Sequence, residues 1–293
     1  GNPTSVSRVT VGASTTADDR FVRCHWEVNP RLIGRDGWAR FAHAIGFCRY
    51  YAPTYTVVKW FGNGEEMLSL VDAKGNTKPR LRCAEHFFKP GMVSPYISEL
   101  GLGCSFLPAE HILSNSCRGY FESSVKEAAL LAYMNSSLVD IFIWALTPDR
   151  KHEAGIIATV PVPDLVSEEA ILEQLALKSW RCVRMIRTQD ETDPLYSGPH
   201  PRSDEYLAEA FAEAVRLQQK IDLAVACLFG LTAESANALL MLAAAPHVFG
   251  KWDATDRGDG DVSEIDEDED EEAISESSLG DLPFSGLSSQ LSF

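Results

Sequence analysis

The sequence predicts an α+β protein with a small antiparallel or mixed sheet, a helical second half and a disordered acidic tail. Short β-like runs separated by turn residues occupy residues 1–123, and apolar residues at helical spacing dominate residues 124–250. In residues 251–293, seven consecutive acidic residues from Asp266 to Glu272 repel one another and have little to bury, which is typical of disorder. We interpret residues 1–250 as two parts of one folded domain.

The β-rich part contains four runs with the composition of strands, at residues 20–28, 54–61, 67–71 and 106–113. Hairpin turns are predicted at Asn63-Gly64 and at Lys74-Gly75-Asn76, because asparagine and glycine tolerate the left-handed backbone of tight turns. A small sheet with long loops is expected.

The second part is predicted to begin with a helix capped by Ser124, with Glu127 completing a capping box. A short β-like run at residues 156–160 interrupts the helical pattern, and the Pro- and Gly-rich connector 192–202 is predicted to be a flexible surface loop. The other predicted helices lie at residues 138–146, 167–186, 204–228 and 232–244.

The net charge of −16 is unevenly distributed along the chain. Residues 251–293 contain 14 acidic and 2 basic residues, which leaves 28 acidic and 24 basic residues in the first 250. Residues 1–90 contain 13 basic and 8 acidic residues. Contacts with phosphate groups require a locally positive surface, and residues 1–90 have the positive charge for one.

The seven cysteines form no Cys-x-x-Cys pair, which favours free thiols and a cytoplasmic location. No apolar run has the length of a membrane span, so we expect no membrane partner. The chain begins at Gly1 without a methionine, and we interpret it as a piece of a longer protein.

Four short motifs resemble catalytic or ligand sites but lack the necessary context. Phe61-Gly-Asn-Gly64 has a displaced last glycine for an S-adenosylmethionine turn, and Asp193-Pro-Leu-Tyr196 lacks the second proline of a target-base loop. Asp72-Ala-Lys74 is interpreted as a turn rather than a nuclease site, and Cys83-x-x-His86 lacks a second close ligand pair for zinc. We therefore predict no catalytic, cofactor-binding or metal-binding residues in this chain.

Basic and aromatic residues alternate through the first part. Arginine can bind phosphate or guanine edges, and tryptophan or tyrosine can pack on sugars or bases. The same residues would equally suit a solvated basic face above buried aromatics, and composition does not decide between these alternatives. A second group of basic residues recurs at helical spacing and has the same two interpretations: Lys178, Arg181, Arg184 and Arg187.

The segment from Thr16 to Val28, which includes Arg20-Phe-Val-Arg-Cys-His-Trp-Glu-Val28, resembles the opening of the target-recognition region of large adenine-specific DNA methyltransferases. These enzymes belong to the DISARM and BREX phage-defence systems and to fused restriction-modification enzymes, and the DISARM type is the most similar. Further landmarks follow in the family's order over residues 10–245: Phe87-Phe-Lys-Pro-Gly91, Phe106-Leu-Pro-Ala-Glu-His-Ile112, Leu130-Leu-Ala-Tyr-Met-Asn-Ser136 and Ile221-Asp-Leu-Ala-Val-Ala-Cys-Leu-Phe-Gly-Leu231. Thr16 and Glu110 stand where the family has glycine.

The resemblance implies a DNA-binding region without catalytic activity of its own. In the family, an upstream Rossmann-like domain binds S-adenosylmethionine and methylates adenine N6. The implied partners are double-stranded DNA, that upstream methyltransferase domain and other defence-system proteins. Trp26 and Tyr51 are interpreted as structural, whereas seven residues are expected to contact the DNA backbone or grooves: Arg20, Arg23, Arg49, Lys59, Arg80, Arg82 and Lys89.

An alternative function belongs to a different class. The chain would be a protein-interaction module of a defence complex that has lost DNA binding, and its acidic tail would engage partners. The tail would also be able to occupy the basic surface in cis, because the two carry opposite charges.

Overall fold

A computed structural model describes residues 7–147, 150–198, 204–232 and 234–238. All of them belong to one compact unit, Gly1–Trp252. The predicted acidic tail and the end of the predicted helix 232–244 lie outside the described residues.

The predicted α+β class is confirmed. The strands of the described chain are β1 (Arg8–Val11), β2 (Val22–Cys24), β3 (Trp38–Ala42), β4 (Thr56–Lys59), β5 (Gly91–Pro95), β6 (Ser105–Leu107), β7 (His111–Leu113) and β8 (Cys117–Phe121). They form two four-stranded sheets, where a single sheet was expected. One sheet is antiparallel in the order β1-β8-β5-β6. The other, in the order β2-β4-β3-β7, is mixed because β3 and β7 run parallel.

The helices are α1 (Asp18–Phe21), α2 (Phe61–Leu68), α3 (Glu127–Met134), α4 (Ser137–Leu146), α5 (Ala154–Ile157), α6 (Glu169–Arg187) and α7 (Asp204–Leu228). The predictions for 138–146, 167–186 and 204–228 correspond to α4, α6 and α7. Helices α3 to α7 contribute most of the largest core, which includes the fully buried Leu131, Tyr133 and Ile221. Among the described helices, none alone could span a membrane by length and apolarity; α3 and α4 would do so only as a pair that is bent by 62°.

Two predicted strands are not formed. The predicted strand 67–71 overlaps the end of α2, Phe61–Leu68, and keeps only the bridge between Val71 and Thr77. Residues 154–157 form α5, and Ile157 and Val160 are buried at a spacing of three, which is a helical rather than an alternating period. The hairpin predicted at Asn63-Gly64 is therefore wrong, although Gly62 to Gly64 do have positive φ angles. The turn at Lys74-Gly75-Asn76 does reverse the chain, since Val71 and Thr77 pair across it.

The strand predicted over residues 20–28 is reduced to β2. Helix α1 precedes it, and the 3₁₀ turn His25–Glu27 follows it. The predicted capping box at Ser124 is also wrong, because α3 begins at Glu127. Glu169 of α6 accepts a 2.8 Å hydrogen bond from the backbone N–H of Lys126, so the start of α3 is capped by a carboxylate from a distant helix.

The two faces of the mixed sheet differ in character. One face packs into a compact core that includes Phe21, Ala39, Phe41 and Val58. In β3 the buried Ala39 and Phe41 alternate with the half-exposed Trp38 and Arg40. Because successive side chains of a strand point to opposite faces, Trp38 and Arg40 lie on the face that turns away from this core. We call it the outer face.

Candidate functional site

Two arginines flank one valine on the outer face of the mixed sheet. Val57 in β4 is paired with Arg23 of β2 on one side and with Arg40 of β3 on the other. Arg40 is in turn paired with His111 of β7. Residues directly opposite each other in a ladder project to the same face, so the four side chains form a cross-strand row. Lys59, opposite Trp38, adds a third cation to this face.

A groove of about 580 Å³ opens beside this row. The Arg40 and Glu110 side chains provide its charged groups, and Trp26 its largest aromatic surface. The lining residues are His25, Trp26, Val28, Pro30, Ile33, Gly34, Arg40, Glu110 and Pro194. The groove therefore combines the segment between β2 and β3, the middle of β3, the residue before β7 and the connector after α6.

Hydrogen bonds fix the wall that the connector contributes. His25 Nε2 lies 3.0 Å from the carbonyl oxygen of Thr192. The hydroxyl of Tyr51 donates to the carboxylate of Asp193, with distances of 2.9 and 3.0 Å to its two oxygens. Asp193 is 3% exposed and also accepts the backbone N–H of Leu195 at 2.7 Å. The predicted surface loop therefore lies at the surface, where Leu195 is exposed, but it is anchored through the buried Asp193, and this hydrogen bond accounts for the structural role predicted for Tyr51.

Trp26 is held by its neighbours but remains accessible. Its ring makes edge contacts with His25 and Tyr55, at centroid distances of 4.9 and 6.4 Å. The residue nevertheless stays 54% exposed, which is unusual for a tryptophan that only fills space. Its predicted structural role accounts for these contacts but not for its exposure.

Two of the predicted cations share one carboxylate at the edge of the outer face. Glu66 Oε1 lies 2.9 Å from Arg20 Nη2, and its Oε2 lies 2.5 Å from Lys59 Nζ. Hydrogen bonds from Lys59 and then Arg20 lower the pKa of Glu66. Both cations are therefore partly neutralised within the protein.

Arg23, Arg80, Arg82 and Lys89 are brought to the same part of the molecule. Their sequence neighbours Val22, Leu81 and Phe88 all pack against the core beneath the mixed sheet. Arg23 Nη1 donates to the backbone oxygen of Asp19 at 2.7 Å, and Arg80 pairs through its backbone with Ser14. The Arg80, Arg82 and Lys89 side chains are exposed.

Arg49 lies elsewhere, and its predicted contact with DNA is corrected. The residue is 6% exposed, and its Nη2 donates to Asp140 Oδ2 at 2.5 Å. Its neighbour Tyr50 is fully buried and donates to Gln218 Oε1 of α7 at 2.7 Å. A guanidinium enclosed in this way cannot reach a phosphate, so Arg49 connects the β-rich part to the helices instead.

The basic stripe on α6 is only partly exposed. Lys178 and Arg181 point into solvent. Arg184 lies over the ring of Trp180, 5.0 Å from its centroid, and Arg187 Nη2 lies 3.8 Å from the sulfur of Cys48. The second half of the stripe therefore packs against protein.

Burial and, to a smaller extent, the nearby Arg40 lower the pKa of His111 to about 4, against the opposing effects of the Pro108 carbonyl and Glu110. His111 is 5% exposed, and its Nδ1 lies 3.1 Å from the carbonyl oxygen of Pro108. The imidazole is consequently neutral at physiological pH. The positive charge of the cross-strand row thus comes from its two arginines.

Arg40 and Glu110 were not among the predicted contacts. The alternation of Trp38, Ala39, Arg40 and Phe41 indicated that Arg40 lies on the polar side of a strand. No comparable signal marked Glu110, because its approach to Arg40 depends on the parallel pairing of β3 with β7. Glu110 stands at an expected glycine position, yet it is not among the positive-φ residues, so its backbone does not require glycine.

The fold is similar to part of a known enzyme. A solved structure of the type IIL restriction-modification enzyme MmeI in complex with DNA matches with a TM-score of 0.53 and 15% sequence identity. The match covers 83% of this chain and 35% of that one, so this chain spans about a third of the length of that enzyme. The sequence matches no protein-family model and no curated protein. The likeness establishes a shared fold, and the finer resemblance to DISARM and BREX methyltransferases stays a prediction.

Proposed function

We propose that this chain is the DNA-binding target-recognition region of a site-specific adenine-N6 DNA methyltransferase in a restriction-modification or phage-defence system. It would select the site, while a separate upstream domain would bind S-adenosylmethionine and transfer the methyl group. DISARM is the system that the sequence resembles most.

The observation that carries this proposal is the placement of three cations, Arg23, Arg40 and Lys59, on the outer face of the mixed sheet. Their spacing follows the strands, so they offer a row of donors at fixed separations rather than a diffuse charged surface. The DNA backbone is an array of phosphates, and neutralising several of them supplies most of the sequence-independent affinity.

Two further observations support the proposal. Arg20, Arg80, Arg82 and Lys89 are exposed, and their sequence neighbours Phe21, Leu81 and Phe88 pack on the core of the same sheet, so they add positive charge to this part of the molecule. The fold is also shared with part of an enzyme whose structure was solved in complex with DNA. Neither observation identifies the methylated base, which comes from the sequence resemblance alone.

Fluorescence polarisation with a labelled duplex tests the proposal on the full chain. We expect affinity to fall as salt increases, because phosphate contacts release counterions. Arg23→Ala and Lys59→Ala should each weaken binding. Each should also reduce the slope of log affinity against log salt concentration by about one, because one phosphate contact fewer is made. Arg216→Ala and Lys220→Ala, exposed positions on α7, are the matched controls and should change neither quantity.

The proposal is wrong if the full chain binds no duplex at low salt, or if the α7 controls weaken binding as much as the outer-face variants do. Absence of duplex binding, together with capture of a partner protein through the acidic residues 264–272, would favour the interaction-module alternative. Circular dichroism of each variant would verify that the fold is retained.

A further inference from the structure

The groove holds a hydrogen-bond donor and an acceptor that have no partner within the described part of the chain. Arg40 and Glu110 both line it, but no ion pair within 4 Å joins them, and neither side chain makes a hydrogen bond or ion pair with another described residue. Arg20 and Lys59, by contrast, both pair with Glu66. An unsatisfied arginine and an unsatisfied carboxylate in one groove are suited to a ligand that both accepts and donates.

The arginine is held in place for such a role. Arg40 is central in β3 and is paired on both sides, with Val57 and with His111. Glu110 directly precedes His111, so the parallel pairing of β3 with β7 sets the position of the carboxylate relative to the guanidinium. The opposite wall carries Pro194, and the hydrogen bond between His25 and Thr192 holds that wall. Little reorganisation would accompany binding.

We infer that this groove takes the major-groove edge of a G·C base pair, with Arg40 donating to guanine O6 and N7 and Glu110 accepting from the cytosine amino group. The inference rests on the proposed function, because it names the part of the DNA that this site reads. Trp26 supplies an exposed ring beside the pair, where it can pack against the sugar or the neighbouring base.

The order of acceptors and donors favours G·C over A·T. Guanine presents two adjacent acceptors to the major groove and cytosine presents one donor, which matches a guanidinium beside a carboxylate. With A·T in one orientation, the Glu110 carboxylate would face the O4 acceptor of thymine and lose its hydrogen bond. In the other orientation Glu110 could accept from the amino group of adenine, but Arg40 would find the single O4 acceptor of thymine in place of guanine O6 and N7 and would lose one of its two hydrogen bonds.

Selection from a pool of random duplexes tests the inference with the full chain. Wild-type protein should enrich a site that contains a strongly preferred G·C position. Arg40→Lys keeps the charge but loses the planar fork, and Glu110→Gln keeps the shape but gains a donor. Each variant should reduce the preference at that one position by about five- to 100-fold, the range for one good base contact, and leave the others unchanged.

Glu65→Gln, an exposed carboxylate on α2, is the matched control and should reproduce the wild-type site. The inference is overturned if the Arg40→Lys and Glu110→Gln proteins are folded, bind duplex and enrich the same site as wild type. It is also overturned if wild-type protein binds duplexes with salt-dependent affinity but without base preference, and in that case the proposed DNA binding survives. If no duplex binds at all, the proposed function itself fails. Enrichment of a peptide from a display library through this groove, without duplex selectivity, would likewise replace the base pair as its ligand.

Discussion

Arg49 Nη2 donates a hydrogen bond of 2.5 Å to Asp140 Oδ2 in the interior of the protein, where the two side chains are 7% and 2% exposed. Asp140 Oδ1 also accepts the backbone N–H of Leu102 at 2.9 Å. Burial raises the pKa of Asp140 to about 6, against the opposing effect of Arg49. The pair thus connects the chain before β4 with the loop before β6 and with helix α4.

Removing one member of this pair should destabilise the fold strongly. Arg49→Met leaves the Asp140 carboxylate buried without its cation, and we expect a loss of about 3–5 kcal/mol in the free energy of unfolding. Adding Asp140→Asn should recover part of the loss, because a neutral amide is less costly to bury and its oxygen still accepts from Leu102. Urea denaturation of the three proteins measures both effects.

The exposed pair of Arg216 with Glu213 on α7 provides the control, since Arg216→Met should cost far less. A loss from Arg49→Met as small as this control would contradict a structural role for the buried pair. If Arg49→Met protein that is still folded also bound duplex more weakly, Arg49 would return to the set of DNA contacts.

The helices were more predictable from the sequence than the strands. Helices α6 and α7 extend over 19 and 25 residues, so their apolar period repeats several times and is unambiguous. The predicted strands 67–71 and 156–160 are too short for that, and an apolar segment of five residues fits a strand or part of a helix equally well. Whether such a segment becomes a strand or a helix depends on the residues that it packs against, and these are remote in sequence.

The same limit applies to the candidate site. Arg23 and Lys59 lie on β2 and β4, within runs that the sequence predicted as strands, and their contacts with DNA stay predictions. Arg49 was misassigned because its partner Asp140 is 91 residues away, and nothing near Arg49 distinguishes it from an exposed arginine. Glu110 was missed for a related reason, since a parallel pairing with β3 brings it to Arg40.

Thr16 has a backbone that favours glycine. Its φ is +57°, in the left-handed region, and it occupies a position where the resemblance expects glycine. A β-branched residue is strained there, whereas glycine is not. After allowing for the greater flexibility of glycine in the unfolded chain, we expect Thr16→Gly to stabilise the protein by about 0.5–1 kcal/mol. Thermal unfolding would measure the change.

Thr159→Gly is the matched control for that variant. Thr159 is also exposed but is not among the positive-φ residues, so glycine there should destabilise the protein slightly. Equal destabilisation by both substitutions would show that the left-handed turn at Thr16 is not strained.

Glu66 should restrain DNA binding if the outer face contacts phosphates. It neutralises Arg20 and Lys59 together, so Glu66→Gln would release both cations. We expect duplex affinity to increase by about two- to tenfold and to depend more steeply on salt. The neighbouring Glu65→Gln removes the same charge without releasing an ion pair and should have a smaller effect. Equal effects of the two variants would mean that net charge alone, and not the Glu66 pairs, governs affinity.

His111 should make the protein less stable in weak acid. Its pKa is about 4 in the folded protein because the buried imidazole resists charging, whereas an unfolded histidine has a pKa near 6.5. The unfolded chain therefore binds more protons between these values, and stability falls as the pH is lowered from about 6.5 towards 4. The contribution of this one residue reaches about 3 kcal/mol at the acid end of that window.

Asp140 changes stability in the opposite direction over part of the same window, because its raised pKa makes the folded state bind the proton first. The pH dependence of the wild type alone therefore cannot isolate the contribution of His111 to stability.

The difference in stability between wild type and His111→Gln isolates this contribution. Glutamine does not titrate, and its amide can still donate towards the carbonyl of Pro108. Urea denaturation at pH 7, 5.5 and 4.5 should show the wild type losing stability relative to the variant at each step. Parallel stability curves for the two proteins would mean that folding leaves the pKa of His111 near 6.5, and the cross-strand row would then gain a third positive charge below that pH.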